Sequence, residues 1–401
     1  MNTNNHKKII VIGGGYGGLR AVKNLAKDKN NQITLLDKNA YHFMQTDVYD
    51  LIANEKDFAK VSVDLFTYCS GFDGNVSFYK QEVENIDFDN KKVITDLQRF
   101  SYDYLIIAVG ARTKFVKSIN GLKEHAHGVK ALHRAMYFKQ KFEMSLFKKV
   151  QESGAACKPL NIVVAGAGLS GVEIAAQMAS YAKEFYCANN FLCRKLNIVL
   201  VSSSKQILKG LDSYLVEKSE KRLLDLEVVI KSQLRVVSLT KESVSLSSGE
   251  SIPMDFMIFA GGIEPNGLIY KLNLPKNERG FLAINEYLQV EGKKEVFAIG
   301  DCATLYNKEK FIAPTADVAE QMAELCSENI MRIDNEQEPK AHNIKSRGIL
   351  IALGRKYAVG KVFTLHISGL AAFWMKKLIE KVYFIKLDWR SKQGCKKIFN
   401  S

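Results

Sequence analysis

Two stretches of the chain set out apolar and polar positions in the same order. Residues 7–12, KKIIVI, form an apolar run of strand length, and GGGYGG follows at once. LRAVKNLA then has helical spacing, and QITLLD returns to a strand ending at Asp37. Residues 160–202 repeat the design: LNIVVA, the turn GAGLSG, the helix-patterned VEIAAQMASYAKEF, and NIVLVS. A strand–turn–helix–strand unit present in only two copies predicts two doubly wound modules rather than a solenoid.

Between the copies, VSFYKQEVENIDFDNKKVITD alternates apolar and polar residues about Asp89-Asn90, which predicts a hairpin, and YDYLIIAVG a further buried strand. QLRVVSLTKESVSLSSGESIPMDFMIFAGG predicts a similar hairpin and strand after the second copy. EVFAIGD predicts a short buried strand ending in Asp301. Residues 315–333 predict a helix capped by Thr315 after Pro314, with Val318, Met322, Leu325 and Ile333 on one face. From 369 to 390, Trp374, Leu378, Val382, Ile385 and Trp389 share an arc of about 80° on a helical wheel. Lys376, Lys377, Lys381, Lys386 and Arg390 fall outside that arc.

Composition alters this picture little. With 401 residues, 47% hydrophobic and 25% charged, the chain is neither a disordered tail nor a small disulfide scaffold. No apolar run reaches the roughly 18 residues of a membrane span, and the N-terminus has no signal-peptide pattern. Seven cysteines without a C-x-x-C pair predict a reduced, cytosolic protein. Charge alters the picture more. Of the +14 net charge, +10 lies in residues 336–401, which carry 14 basic and 4 acidic side chains. A near-neutral body with a basic end predicts a localised anionic contact rather than nucleic-acid binding, for which no recognisable module is present.

The glycine turns carry the chemistry. Gly13-x-Gly15-x-x-Gly18 permits a tight turn, close approach of backbone to a pyrophosphate, and close helix–strand packing. The helix N-terminus supplies free N–H groups to the phosphates, and Asp37 stands where a carboxylate meets an adenosine ribose. Gly166-x-Gly168-x-x-Gly171 repeats the turn, but its strand ends in Ser202, followed by Ser203, Ser204 and Lys205. Without a carboxylate there, two readings stand: serine hydroxyls still hold NADH, or, with nothing to repel a 2′-phosphate, NADPH is tolerated as well. Two such modules suit one tightly held flavin and one exchangeable nicotinamide. The expected class is α/β: FAD and NAD Rossmann-like domains plus a C-terminal amphipathic, membrane-associating helical region.

From about residue 7 to 333 the chain resembles the two-dinucleotide-binding flavoprotein reductases, and within them the type II NADH:quinone oxidoreductases. The resemblance rests on Gly13–Gly18, Asn39–Gln45, Ala108–Gly110, Gly168–Glu173, Ala260–Gly262, Gly300-Asp301, Pro314–Ala316 and the basic tail. It implies a FAD domain at 1–118 and 265–335, an NAD(H) domain at 119–264, and a membrane-contact region at 336–401. Gly13, Gly14, Gly15, Tyr16, Gly17, Gly18, Asp37 and Lys38 would serve non-covalent FAD, with Val83 near adenine, Asp301 near the ribityl and pyrophosphate, and Ala108, Gly110 and Ala316 close by. Gly166, Gly168, Gly171, Ser202 and Gly262 would serve NADH.

The same resemblance implies that hydride passes from NADH to FAD and two electrons then reach a membrane quinone, without proton pumping. Glu173 would face nicotinamide and flavin as the catalytic carboxylate, and the Thr315 helix would aim its positive end at the flavin. Asp317 stands where the family usually has a quinone-contacting Gln; the second Gln is present as Gln321. No metal is implied, and a homodimer is compatible with it. Sulfide:quinone oxidoreductases share the fold but need two cysteines over the flavin. Here Cys157, Cys187, Cys193, Cys302 and Cys326 are scattered, and the intact second glycine turn argues against that family. A non-catalytic NAD(H)-sensing flavoprotein is the alternative outside the enzymes. The tail's stripe, tryptophans and lysine borders predict a helix in the interface of an anionic lipid surface, placing the protein peripherally on the cytoplasmic face of the membrane.

Overall fold

The computed structural model describes residues 6–151, 158–188, 196–307 and 310–399. Both glycine turns are built on five-stranded parallel sheets. In the first, the strand order is Val296–Ala298, Tyr104–Ile107, Lys7–Ile12, Asn31–Asp37 and Val76–Lys80. In the second it is Ala126–His127, Phe256–Phe259, Leu160–Ala165, Leu196–Val201 and Val228–Lys231. Each glycine-bearing strand is central and covered on both faces, which is why it reads as an unbroken apolar run. Ile9 and Val11 pack beneath the Tyr16–Leu25 and Ala316–Asp334 helices, while Ile10 and Ile12 meet Val83, Ile86 and Val93 on the other face.

The turn at Asp89-Asn90 joins antiparallel strands Val83–Asp87 and Lys92–Thr95, as expected. VSFYK, read as part of that hairpin, instead forms the parallel edge strand Val76–Lys80 beside Asn31–Asp37. Its alternation reflects an edge position with one face open to solvent, a pattern that a hairpin arm shares. The second appendix is a three-stranded meander, Val236–Leu239, Ser243–Leu246 and Ser251–Pro253, followed by the buried strand Phe256–Phe259. Antiparallel strands Ala111–Thr113 and Ile263–Pro265 pair where the chain passes between the two modules.

The last segment is less separate than its composition suggests. An antiparallel sheet of Gly348–Ala352, Ala358–Val362 and Leu365–Gly369 leads into a 30-residue helix, Leu370–Phe399. Ile351, Leu353 and Val359 join the core of the second module, and Leu387 joins that of the first. Gly394 lets the helix cross Leu65–Ser70 closely, since a Cβ there would lie 1.8 Å from the Thr67 carbonyl oxygen. No described helix is long and apolar enough to cross a membrane.

Candidate functional site: two open glycine turns and the cleft beside them

The outer glycines of each turn are fixed by close contact. A Cβ on Gly13 would lie 2.4 Å from the Ala108 carbonyl oxygen, and one on Gly18 would lie 1.8 Å from that of Gly13. Gly166 repeats this against Ala260 at 2.5 Å, and Gly171 against Gly166 at 1.7 Å. The middle glycines differ: at Gly15 and Gly168 nothing lies within 4 Å of where a Cβ would be. Space is therefore kept open at the two positions where a pyrophosphate must approach backbone at a helix N-terminus. The residues present fit a dinucleotide at each turn.

Asp37 closes the first turn, accepting the Gly14 N–H at 2.7 Å and the Asn39 N–H at 2.7 Å. Burial raises its carboxyl, against the pull of those bonds. The equivalent of Asp37 in the second module is Ser202, because the N–H groups of Gly13 and Gly166 reach the carbonyls of Leu36 and Val201, each one residue earlier. Ser202 is buried, its hydroxyl donating to the Ser204 carbonyl at 3.1 Å and accepting the Ser204 N–H at 3.2 Å. Lys38 pairs with Glu82 at 3.6 Å on the surface, and buried Val83 opens the adjoining hairpin.

A cleft of about 590 Å³ lies beside the first module, with Gly262, Gly300, Asp301, Pro314, Thr315 and Ala319 among its lining residues. Thr315 caps the Ala316–Asp334 helix by accepting the Val318 N–H at 3.2 Å. Asp301 bonds Lys130 at 2.7 Å, a partner that no spacing in the sequence reveals. His42 supports the glycine turn from behind. Its Nδ1 lies 2.9 Å from the Gly14 carbonyl oxygen, and burial depresses the ring to about 4. Tyr16 packs against His42 and Tyr383, with its hydroxyl 2.9 Å from Thr46.

The three expected catalytic side chains divide into two groups. Asp317 and Gln321 bond each other at 2.9 Å. Asp317 also accepts the Arg347 N–H at 3.1 Å, while Gln321 donates to the Lys345 carbonyl at 2.9 Å. Glu173 lies apart from them. Its carboxylate is buried, accepting the Ala352 N–H at 2.9 Å with Lys376 at 3.5 Å. Burial raises its carboxyl, opposed by Lys376 and the Ala352 bond.

Lys376 and Lys377 depart from the expected lipid border and point into the protein. Lys376 lies 3.1 Å from Glu380, and Lys377 lies 2.5 Å from Asp50 and 3.4 Å from Glu55. Lys56 joins the group, at 2.6 Å from Asp47 and 2.8 Å from Glu380. Buried carboxylates need such partners, and the lysines two and three residues beyond Trp374 lie on the inner side of the helix. Arg390 also turns inward, donating to the Gly71 carbonyl at 3.2 Å over the Phe72 ring. Lys381 and Lys386 are exposed, as expected. So is the stripe: Trp374, Leu378, Val382, Ile385 and Trp389 are between 41% and 63% exposed. Cys157 and Cys193 lie outside the described residues. Cys302 and Cys326 are sealed in separate core clusters, and no described cysteine lines the cleft.

Residues 7–323 match the family model described as pyridine nucleotide-disulphide oxidoreductase. A type II NADH:quinone oxidoreductase of Staphylococcus aureus is 27% identical over 388 residues, spanning 93% of this chain and 94% of the relative. Among solved structures, NDH2 of Plasmodium falciparum in complex with NADH matches with a TM-score of 0.82 at 20% identity, covering 97% of this chain and 96% of that one. The sulfide:quinone oxidoreductase of Aquifex aeolicus matches with a TM-score of 0.81 at 20% identity, covering 97% and 92%. These structural likenesses concern the fold.

Proposed function

Because the chain belongs to the pyridine nucleotide-disulphide oxidoreductase family, we propose that it is a peripheral-membrane NADH:quinone oxidoreductase using non-covalently held FAD. The observation that carries this reading is the duplicated turn with its middle glycine facing open space, at Gly15 and at Gly168. The curated relative that spans nearly the whole chain is named for the same reaction. A bound flavin would supply the two-electron chemistry that links a nicotinamide donor to a quinone acceptor.

The chain's own groups do the rest. The helix starting at Tyr16 offers its free N–H groups to one pyrophosphate, and the helix starting at Leu169 does so for the other. Asp37 holds the Gly14 N–H while keeping lone pairs for a ribose. Lys130 neutralises Asp301, so the carboxylate beside the cleft does not repel a phosphate-bearing ligand. Thr315 fixes the start of a helix whose positive end faces the cleft and favours negative charge there. Glu173, with its carboxyl raised by burial against the pull of Lys376 and the Ala352 N–H, holds a proton more readily than an ordinary carboxylate and is suited to proton transfer. The exposed tryptophan stripe would bring the protein to a lipid-dissolved acceptor on the cytoplasmic face.

A sulfide donor is the competing reading, since the A. aeolicus enzyme shares the fold. The burial of Cys302 and Cys326 in different clusters speaks against it. The test is the absorption spectrum of the purified protein. A flavin band that bleaches on adding NADH and returns with a quinone, while sulfide leaves it unchanged, supports the proposal. Bleaching by sulfide alone would replace it with the alternative, and no flavin band would refute both.

A further inference from the structure

The first glycine-turn helix and the C-terminal helix touch through their side chains. Tyr16 and Tyr383 meet with ring centroids 5.1 Å apart. Seven residues on from each stand Lys23 and Arg390, with Lys386 one turn before Arg390. Partial burial, then the charges of Arg20, Lys386, Arg390 and Lys27, hold the Lys23 ammonium below its usual range. The basic residues of two helices therefore converge at one place.

That place has a shape. A depression of about 400 Å³ is lined by Arg20, Lys23 and Asn24 of the first helix, by Lys27 just beyond it, and by Glu324, Ser327 and Met331 of the Ala316 helix. Arg20 is engaged by Glu324 at 2.5 Å, and Arg390 is held over Phe72. The ammonium groups of Lys23, Lys27 and Lys386 meet no carboxylate within ion-pair distance among the described residues. Two unpaired cations in the lining, with Lys386 close enough to act on Lys23, are complementary to an anion, the Glu324 carboxylate being taken up by Arg20, and Asn24 and Ser327 add neutral hydrogen-bonding groups. Exposed Ile385 and Trp389 flank Lys386 on the C-terminal helix, so the basic cluster around Lys23 reaches the apolar stripe through Lys386. A ligand that uses both parts has an anionic head and apolar chains.

We propose that this depression binds the phosphate group of an acidic phospholipid, whose acyl chains lie along the Val382–Ile385–Trp389 stripe. The site extends the membrane contact onto the first module and rests on the interfacial reading of the C-terminal helix. A free anion would gain nothing from the stripe, which is why the lipid is the assigned source. Lys and Arg near an anionic surface contribute about 1 kcal/mol each, or roughly fivefold in affinity.

The experiment is co-sedimentation with vesicles of phosphatidylcholine alone or mixed with phosphatidylglycerol, using wild type, Lys23→Gln/Lys27→Gln and Lys386→Gln. Wild type should favour the mixed vesicles. The double variant should lose about tenfold or more on them and nothing on neutral ones, and Lys386→Gln about fivefold. All should still oxidise NADH with a water-soluble quinone, which certifies folding. A charge-matched control at exposed Lys123 and Lys241 in the second module should lose less than about twofold. Equal loss in the control, or none in the double variant, would overturn the site while leaving wild-type membrane binding intact. Wild type binding neither vesicle would refute the interfacial reading itself and the site with it. Displacement by inorganic phosphate beyond that by chloride of equal ionic strength would reassign the depression to a free anion.

Discussion

The ammonium of Lys376 lies 3.5 Å from the carboxylate of Glu173, joining the C-terminal helix to the second turn of the second glycine-turn helix. Both groups are buried. Against the desolvation that burial imposes, Glu173, Glu380 and Asp50 hold Lys376 well above its usual range and therefore charged. The carboxylate proposed to manage a proton is thus restrained by the same helix that is proposed to meet the membrane.

Glu173→Gln should keep the flavin spectrum and slow turnover with NADH and quinone at least about tenfold, equivalent to about 1.4 kcal/mol of barrier. Lys376→Met should shift the acid limb of the pH–rate profile upward, because the cation that favours ionised Glu173 is gone. Steady-state rates across pH are the measurement. An unchanged rate in Glu173→Gln would leave the residue a structural partner of Lys376 and Ala352.

Cofactor choice turns on Ser202. Asp37 and Ser202 occupy matching positions after the second strand of each module, yet only Asp37 can repel a 2′-phosphate. Preference for NADH over NADPH should therefore stay below about a hundredfold, and Ser202→Asp should sharpen it. Comparing kcat/KM for the two cofactors decides the point. A wild-type preference above about a thousandfold would move the discrimination to another residue.

His42 gives a stability prediction with a definite sign. Its native value of about 4 lies below the 6.5 of an unfolded histidine, so the unfolded state binds more protons in between. Stability from this group is complete above pH 6.5 and is lost as pH falls toward 4. Folding midpoints in denaturant should drop over that window in wild type and drop less in His42→Gln. The neutral amide can still donate to the Gly14 carbonyl that His42 Nδ1 now faces. Parallel curves for the two proteins would show that the ring is not held neutral.

The glycine turns could be read from sequence because their cause is local. Gly13 sits against the Ala108 backbone and Gly18 against Gly13, contacts that any side chain would break. Thr315 was legible for the same reason, its hydroxyl bonding three residues ahead. The apolar arc of the C-terminal helix follows from helical period alone, but period does not say which charged flank turns inward. Lys376 and Lys377 look like Lys381 in sequence, and only distant Glu173, Asp50 and Glu55 distinguish them. Asp317 shows the converse. As a departure from the expected Gln it invites a chemical role, whereas its carboxylate is bound by Gln321 and the Arg347 backbone. VSFYK reads as a hairpin arm although it is a parallel edge strand, because the two share one alternation.

The tryptophan stripe yields the last prediction. Deleting the C-terminal helix would uncover Leu387 and Phe373 and leave Glu173 without Lys376, so loss of binding would be confounded with loss of fold. Trp374→Glu/Trp389→Glu avoids this, because both rings are more than half exposed. Fully burying a large apolar side chain contributes about 1.5–3 kcal/mol, so removing two and adding negative charge should weaken vesicle binding more than tenfold. Activity toward a long-tailed quinone in vesicles should fall with it, while activity toward a water-soluble quinone should stay within about twofold. The divergence between those two rates is the informative quantity. Equal loss on both quinones would mean that the stripe supports the catalytic cleft. No loss on either would place the membrane contact elsewhere on the molecule.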